Sequence, residues 1–267
     1  MNLEDRYRPK PKHWSGTAGA QPVDTDGLIE ARIAFDDAQK ENGIIAFDGP
    51  PGTGKSFALK SIIEDLVIPH WFIPIGPDST GKGFEAGLLQ AIYAGKKPPV
   101  WVDRSRYRDD LRWDIHGELS QGPCVVFIDD FDPSGLAGTK VIRWLFEQAG
   151  LQATFVLVGN DLYQLFHRNV AFWNRIMRFV SFARIPGAEV VAKMQAYHPF
   201  FKRSSEVHLA KVDKDNGLGN FRNWAIFLEA SLKIANEAGV DRLTDEVIDA
   251  AYVAIGKRPH RAAEHDE

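Results

Sequence analysis

The chain has little of what marks secreted and membrane-embedded proteins. It holds one cysteine, Cys124, in 267 residues, so a disulfide within the chain is excluded and a reducing compartment is favoured. No stretch approaches the roughly 18 uninterrupted apolar residues of a membrane helix. Residues 1–6 include acids and lack an apolar core, so we expect no signal peptide. We therefore expect a cytoplasmic protein with no membrane partner.

The composition also excludes a disordered chain and a strongly basic one. Apolar residues make up 44% and charged residues 25%, which is ordinary globular usage, and a chain of this length buries a substantial core. The formal net charge is -4. Binding to nucleic acid would therefore depend on local basic patches, because the chain as a whole is not basic.

Short apolar runs alternate with amphipathic segments through the middle of the chain. Strands are predicted at residues 44–47, 71–75, 125–128, 155–158 and 179–185, and helices at 56–66, 84–92 and 141–146. Continuous apolar strands alternating with helices are typical of a parallel sheet covered on both faces. After Pro186 and Gly187 only helices are predicted, at 194–201, 221–235 and 244–255, the last with Thr244 as its N-cap.

These patterns divide the chain into four parts. We predict an arm of residues 1–26, an α/β domain of residues 27–186, a small helical domain of residues 187–256 and a tail of residues 257–267. The arm mixes prolines with basic residues and has no helical or strand periodicity. It fits either a flexible terminus or an arm that reaches a neighbouring subunit or DNA.

A glycine-rich loop between the first strand and the next helix is the strongest motif. The phosphate-binding pattern G-x-x-x-x-G-K-[ST] is matched by Gly49, Pro50, Pro51, Gly52, Thr53, Gly54, Lys55 and Ser56. The glycines allow backbone N–H groups to turn towards phosphate oxygens, and the helix N-terminus adds its positive end. Lys55 would reach the β- and γ-phosphates, and the Ser56 hydroxyl would ligate Mg²⁺. The predicted nucleotide-binding set also includes Phe57.

Polar side chains follow two of the later strands. The run 125–128 ends in Asp129 and Asp130. Asp129 would hold Mg²⁺, directly or through water, and Asp130 lies where a base could orient the attacking water; the other interpretation is a strand that ends in solvated acids. Asn160 follows the next strand, where its side chain could position water beside the γ-phosphate or cap the following helix.

Three arginines are further candidates. Arg175 and Arg178 precede the last predicted strand, where an arginine can stabilise transition-state charge across a subunit interface or can be an ordinary surface residue. Arg222 begins a helix of the helical domain. It could fold over the nucleotide and contact the γ-phosphate, or could lie solvated in a first turn. The predicted catalytic set is Asp130, Asn160, Arg175 and Arg178.

Basic and aromatic residues are interleaved between Val102 and Asp114. This mixture is typical of nucleic-acid binding. However, the segment holds four arginines and four aspartates, so a salt-bridged helix face is the other interpretation.

In the order of its motifs, the chain resembles the AAA+ ATPases over roughly residues 27–256. The resemblance depends on GPPGTGKS, VVFIDDFD, VLVGND, NRIMR and GLGNFRNW. It implies a P-loop AAA+ parallel sheet with helices on both faces, followed by a helical lid, and ATP with Mg²⁺ as cofactors. It further implies that Asp129 is the Walker B acid, Asn160 is sensor 1 and Arg222 is sensor 2. Arg175 best matches the arginine finger, ahead of Arg178.

Within that superfamily the chain is most similar to the regulators of DNA transposition. The similarity depends on the compact size, on VLVGNDLYQLFHRN followed by NRI, and on GLGNFR. It implies an ATPase that assembles as a ring or filament on duplex DNA and recruits or activates a transposase. In such proteins the region after the second helix lies towards the central channel. The predicted DNA contacts are therefore Lys96, Lys97, Arg104 and Arg106.

Two other functions fit the same motifs. One is another AAA+ ATPase acting on DNA, such as a helicase loader or a clamp-loader-like subunit; the other is a nucleotide-gated scaffold for a protein partner. Residues 6–10 are similar to the N-terminal signature of clamp loaders, but the Ser-Arg-Cys arginine-finger motif is absent. Most AAA+ proteins have Asp-Glu where this chain has Asp129 and Asp130, so we expect slow hydrolysis.

Overall fold

A computed structural model describes residues 17–75, 82–94, 108–132 and 135–257. Its centre is a five-stranded parallel sheet with the strand order β2-β3-β4-β1-β5. The strands are β1 (Ile44–Asp48), β2 (His70–Pro74), β3 (Cys124–Asp129), β4 (Ala153–Gly159) and β5 (Ile176–Ser181). The crossovers that parallel pairing requires are supplied by helices between the strands.

Helices cover both faces of this sheet. They are α1 (Asp26–Glu41), α2 (Lys55–Glu64), α3 (Lys82–Ile92), α4 (Arg108–Leu119), α5 (Gly135–Phe146), α6 (Leu162–His167) and α7 (Val170–Trp173). Successive residues of the buried strands enter two different cores: Val126 and Ile128 pack in one cluster, and Val125 and Phe127 pack in the other. The α/β fold with two covered faces is therefore confirmed.

The predicted position of the last strand was wrong at both ends. We predicted residues 179–185, whereas β5 is Ile176–Ser181. Met177 and Arg178 are exposed on this edge strand and interrupt the apolar run that the prediction followed. Phe182 and Ile185 are buried but lie beyond the strand. Because they are apolar and buried, the prediction wrongly included them in the strand.

The described residues form two compact units. The first contains Asp26–Pro50 and Gly54–Phe182, and the second contains residues 17–25, Pro51–Thr53 and residues 183–257. The helices of the second unit are α8 (Gly187–Tyr197), α9 (Pro199–Arg203), α10 (Glu206–Val212), α11 (Phe221–Ala238) and α12 (Asp245–Ala254). A π-helical turn, Asp213–Gly217, follows α10. In the described part of the chain, no helix combines the length and apolar character needed to span a membrane.

Three features of the helical unit differ from the prediction. The first helix begins at Gly187, seven residues before the predicted start. The single helix expected at 194–201 is broken at His198, whose backbone is extended, because the residue before a proline is disfavoured in helical conformation. The ring of His198 then caps the next helix by accepting the N–H of Phe200 at 3.1 Å. The helix α10 was not predicted. Thr244 does cap α12, by accepting the N–H of Val247.

Candidate nucleotide-binding site

The glycine-rich loop leaves the carboxyl end of β1 and leads directly into α2. Gly49 has φ 148°, and a Cβ atom at this position would lie 2.1 Å from the carbonyl oxygen of Phe182. Glycine is therefore required at the point where the loop leaves the sheet. Since α2 begins at Lys55, the loop ends at a helix N-terminus, which presents backbone N–H groups to an anion.

Lys55 is held at the centre of the loop. Its side chain is only 8% exposed, and its Nζ donates to the carbonyl oxygens of Gly49 and Pro50 and to Oδ1 of Asn160, the last at 3.0 Å. Desolvation lowers the pKa of Lys55, and the neighbouring charge of Asp129 opposes this. All three acceptors are uncharged, so the ammonium keeps a positive charge that can hold a phosphate oxygen.

The acid at the end of β3 lies beside the first turn of α2. The Ser56 hydroxyl donates to Oδ2 of Asp129 at 3.4 Å, and the N–H of Asp130 donates to Oδ1 of Asp129 at 3.0 Å. Burial raises the pKa of Asp129 to about 6, and the negative charge of Asp130 adds to this rise. A hydroxyl and a desolvated carboxylate with a second carboxylate beside it form the oxygen-rich donor set that suits Mg²⁺. The residues present therefore fit the metal.

Asp130 differs from Asp129 in its exposure and its backbone. Its side chain is exposed, and its φ of 53° places it in the left-handed region, which aspartate tolerates better than most residues. The carboxylate therefore stays hydrated beside a buried one. This is compatible with a group that orients water, and that role of Asp130 stays a prediction.

The side chain of Asn160 contacts Lys55, and its role towards the nucleotide stays a prediction. The residue that precedes α6 is Asp161, which makes no side-chain cap, whereas Oδ1 of Asn160 accepts from Nζ of Lys55. The structure thus brings together two predicted residues that are 105 positions apart in sequence. Capping of the following helix, the alternative interpretation, is not what the side chain of Asn160 does.

Two carboxylates next to this group were missed from the sequence. Oδ1 of Asp48 accepts the N–H of Leu162 at 2.9 Å, and Oδ1 of Asp132 accepts the N–H of Asn160 at 2.8 Å. Their position in the sequence was a usable signal: Asp48 is the last residue of β1, and Asp132 lies three residues after Asp129. The partners, however, are 114 and 28 residues away, and no local pattern indicates them.

Both arginine-finger candidates make ion pairs within the described chain. Arg175 pairs with Glu147, and Arg178 pairs with Asp37 at 2.9 Å. An arginine finger acts on the nucleotide of a neighbouring subunit, so these contacts neither assign the role nor remove it. The choice of Arg175 over Arg178 stays a prediction.

Arg222 lies in the first turn of α11, and its side chain is exposed. Asn220 caps this helix: its Oδ1 accepts the N–H groups of Arg222 and Asn223. Its Nδ2 donates to the carbonyl oxygen of Pro51 at 2.8 Å, a loop residue that belongs to the same compact unit. The role of Arg222 as sensor 2 stays a prediction.

The structure describes Phe57 and part of the charged segment, but not the four predicted DNA contacts. Phe57 is half-buried and packs against the core beneath the sheet. Arg112, in the charged segment, pairs with the fully buried Glu85 at 2.7 Å, so at this arginine the salt-bridge interpretation holds. The four predicted DNA contacts lie outside the described residues: Lys96, Lys97, Arg104 and Arg106.

Comparison with known proteins gives structural matches alone. No protein-family model and no curated protein sequence matches the chain. Cdc6p from Pyrobaculum aerophilum superposes with a TM-score of 0.71 at 14% identity, covering 90% of this chain and 70% of that chain. The ORC1 protein of Aeropyrum pernix in complex with DNA gives 0.62 at 12% identity, with 88% and 66% covered. The RuvB Holliday junction branch migration motor of Thermotoga maritima gives 0.59 at 15% identity, with 87% and 70% covered.

At identities of 12% to 15%, these similarities concern the fold. All three neighbours are AAA+ ATPases, and each aligns over nearly nine-tenths of this chain. The parallel sheet, the loop between β1 and α2 and the helical C-terminal unit are the features that the family resemblance implied. The chain therefore has the P-loop fold of the AAA+ ATPases.

Proposed function

We propose that this protein is an AAA+ ATPase that binds ATP with Mg²⁺ and acts on duplex DNA. The observation that carries the ATPase part of the proposal is the convergence of Lys55, Asn160, Ser56 and Asp129 at one edge of the sheet, with Nζ of Lys55 3.0 Å from Oδ1 of Asn160. A cationic side chain at a helix N-terminus suits a polyphosphate, and the adjoining hydroxyl and carboxylate suit a divalent cation.

Each residue then has a role in hydrolysis. The loop N–H groups and Lys55 would hold the phosphates, and Ser56 with Asp129 would hold Mg²⁺, which supplies neutralisation of the charge on the leaving phosphate. Asp130 orients the attacking water and accepts its proton. Asn160 contacts the γ-phosphate side of the site, next to Lys55. Arg175 of a neighbouring subunit adds positive charge in the transition state.

Hydrolysis is expected to be slow. Asp130 is one methylene shorter than the glutamate that most AAA+ proteins have at this position, so its carboxylate reaches less far towards the water. The left-handed backbone at this residue, φ 53°, also limits how the side chain can be re-aimed. A slow ATPase keeps an ATP-bound assembly on its substrate for longer.

The finer proposal is a regulator of DNA transposition. Support comes from the run VLVGNDLYQLFHRN and from the GLGNFR segment at the start of α11, which are similar to that class. Such a protein assembles on duplex DNA with ATP, recruits or activates a transposase and leaves after hydrolysis. Repetition of a modest basic patch in a ring or filament lets many weak phosphate contacts act together, despite the net charge of -4.

The second candidate is an ATPase that loads another protein onto DNA, as a helicase loader does. The superposition on an ORC1 protein in complex with DNA supports the part of this candidate that acts on DNA. The two candidates share the nucleotide site and differ in the protein recruited. Stimulation of a transposase supports the first, and deposition of a helicase on DNA supports the second.

Electron microscopy of the protein with duplex DNA and a slowly hydrolysed ATP analogue tests the shared part of the proposal. We expect ATP-dependent rings or filaments on DNA of any sequence, with an affinity that falls by about 0.9 log units per log unit of salt for each phosphate contacted. If the protein does not associate with DNA in any nucleotide state, DNA is not its substrate, and a nucleotide-gated protein scaffold becomes the better reading.

A charge-matched pair of variants locates the DNA surface. Alanine at Lys96, Lys97, Arg104 and Arg106 should weaken binding to all duplexes alike and leave ATP binding intact. The control removes four exposed cations elsewhere, at Lys140, Lys202, Lys233 and Arg242. Equal losses in the two variants would indicate a general charge effect, and normal binding by the first would place the surface elsewhere.

A further inference from the structure

The turn after β4 is held by two carboxylates from outside it. This turn, residues 159–162, carries Asn160. The N–H of Asn160 donates to Oδ1 of Asp132 at 2.8 Å, and the N–H of Leu162 donates to Oδ1 of Asp48 at 2.9 Å. One carboxylate ends β1 and the other follows β3, so the turn is tied to the strands on both sides of β4.

The turn includes one residue with a left-handed backbone. Asp161, between the two held amides, has φ 56°, a left-handed backbone that aspartate tolerates better than most residues but that is less favourable than a right-handed one. At Gly159 a Cβ atom would lie 2.2 Å from Oδ1 of Asp132, so the carboxylate fills the space that any other residue would need. Carboxylate acceptors make strong hydrogen bonds to backbone N–H groups, which offsets the strain.

Asn160 is bonded through both its backbone and its side chain. Its backbone N–H is fixed by Asp132, and its Oδ1 accepts from Nζ of Lys55 at 3.0 Å. The same two carboxylates lie close enough to Lys55 for their charges to favour its ammonium form. Asp48 and Asp132 therefore have two possible effects on the site, one through hydrogen-bond geometry and one through charge, and these can be separated.

We propose that Asp48 and Asp132 are positioning residues that clamp the 159–162 turn and so aim Asn160 at Lys55 and the γ-phosphate. The proposal rests on the function proposed above. It assigns the two carboxylates no contact with the nucleotide. Their effect passes through the backbone of the turn to Asn160.

Substitutions of Asp132 separate geometry from charge. Asp132→Asn removes the charge but keeps an oxygen that can accept the N–H of Asn160, whereas Asp132→Ala removes both. We expect kcat for ATP to fall about 10-fold in Asp132→Ala, the size of effect expected from one lost charge-assisted hydrogen bond. We expect Asp132→Asn to stay within about threefold of wild type and KM to change little in either. Equal losses in the two variants would overturn the positioning role in favour of charge.

Coupling to Asn160 is tested by a double-mutant cycle. If Asp132 acts through Asn160, adding Asp132→Ala to Asn160→Ala should cause no further loss of kcat beyond about twofold. Losses that multiply would show that Asp132 acts on the site by another route, and the proposal would fail.

Amide hydrogen exchange in the nucleotide-free protein tests the clamp without any need for turnover. Asp132→Ala should speed exchange at the N–H of Asn160, and Asp48→Ala should speed it at the N–H of Leu162. The exposed Asp36 on α1 provides a control, since Asp36→Ala should change neither. Unchanged exchange at Asn160 in a folded Asp132→Ala protein would overturn the clamp. Asp132 is partly exposed, so we expect Asp132→Ala to fold. Exchange at Asn160 in that variant therefore tests the clamp even if substitution of the more buried Asp48 prevents folding.

The failure of the clamp is distinguishable from the failure of the proposed function. A wild-type protein that hydrolyses no ATP would remove the function, and the exchange measurement would still decide whether the two carboxylates hold the turn. A wild-type protein that hydrolyses ATP, together with normal exchange and normal kcat in Asp132→Ala, would remove the clamp alone.

Discussion

The α/β unit and the helical unit differ in how their polar side chains are arranged. In the α/β unit, polar side chains converge on one edge of the sheet, where Lys55 donates to Asn160 and the N–H of Asn160 donates to Asp132. In the described part of the helical unit, five buried polar side-chain atoms have no hydrogen-bond partner, against one, Nε of Arg143, in the described part of the α/β unit. The five belong to Tyr197, His208, Asn216, Ser231 and Tyr252.

This difference indicates a division of labour. A partnered polar network is rigid and preorganised, which chemistry on a charged ligand requires. Buried polar atoms without partners cost stability. Substitutions of Lys55 and Asp130 should therefore change binding or turnover while the protein still folds, whereas loss of a helix cap in the helical unit should change stability.

The largest expected effect is on nucleotide affinity. Lys55→Ala removes the ammonium that is held by the loop carbonyls and Asn160, and loss of one partner of a buried charged contact costs about 2 to 5 kcal/mol. Affinity for ATP, measured by titration calorimetry, should fall about 100-fold or more. Lys60→Ala, on the same helix and paired with Glu64, should bind as wild type does. Near-normal ATP affinity in Lys55→Ala would show that the polar groups at this edge of the sheet do not bind the nucleotide.

The next effect is on turnover. Asp130→Asn removes a proton acceptor and leaves Asp129 in place, so ATP should still bind while steady-state hydrolysis slows by about 100-fold. Asp130→Glu restores the longer side chain that most AAA+ proteins have, and should hydrolyse faster than wild type. If both variants hydrolyse at the wild-type rate, Asp130 does not orient the water, and another acid must be sought.

These two predictions concern residues that local pattern was sufficient to find. The glycine spacing and the acids at a strand end are short-range signals, so Lys55, Ser56, Asp129 and Asn160 could be placed at one edge from the sequence. The contacts of Asp48 and of Arg175 could not, because their partners are set by how distant segments pack. Leu162 is 114 residues from Asp48, and no periodicity connects them.

Secondary structure was also predictable only where the local sequence pattern determines it. Strands buried on both faces, such as β3 and β4, have continuous apolar runs and were placed to within a few residues. The edge strand β5 was shifted because Met177 and Arg178 are exposed on it. Around His198 the apolar residues keep helical spacing in the sequence, but the helix ends there because Pro199 disfavours a helical backbone at the residue before it.

A third prediction concerns the pH dependence of stability in the metal-free protein. Burial raises the pKa of Asp129 to about 6 in the folded state, from an ordinary 3.8. The folded protein therefore binds the extra proton between these values, and its stability falls as the pH rises from about 4 to about 6 and then stays level. Asp129→Asn should lack this fall. By urea unfolding, we expect the variant to be about 3 kcal/mol more stable than wild type at pH 7.5 and equal to it at pH 4. Parallel curves for the two proteins would show that Asp129 is not desolvated.

The smallest effect belongs to the helical unit. Thr244→Ala removes the cap on the N–H of Val247 and should lower the free energy of unfolding by about 1 kcal/mol. ATP affinity should stay unchanged. Thr244→Ser keeps the hydroxyl and should lose much less. A loss of nucleotide binding in Thr244→Ala at a temperature where it is fully folded would contradict the division of labour between the two units.

Phosphate release from Mg²⁺-ATP by the wild-type protein, measured beside Lys55→Ala with and without duplex DNA, tests the central claim most directly. The account predicts slow release by wild type that requires Mg²⁺ and is absent in Lys55→Ala. Release at the same rate by both proteins, or no release by wild type in any condition, would contradict the assignment of this edge of the sheet as an ATP-hydrolysing site.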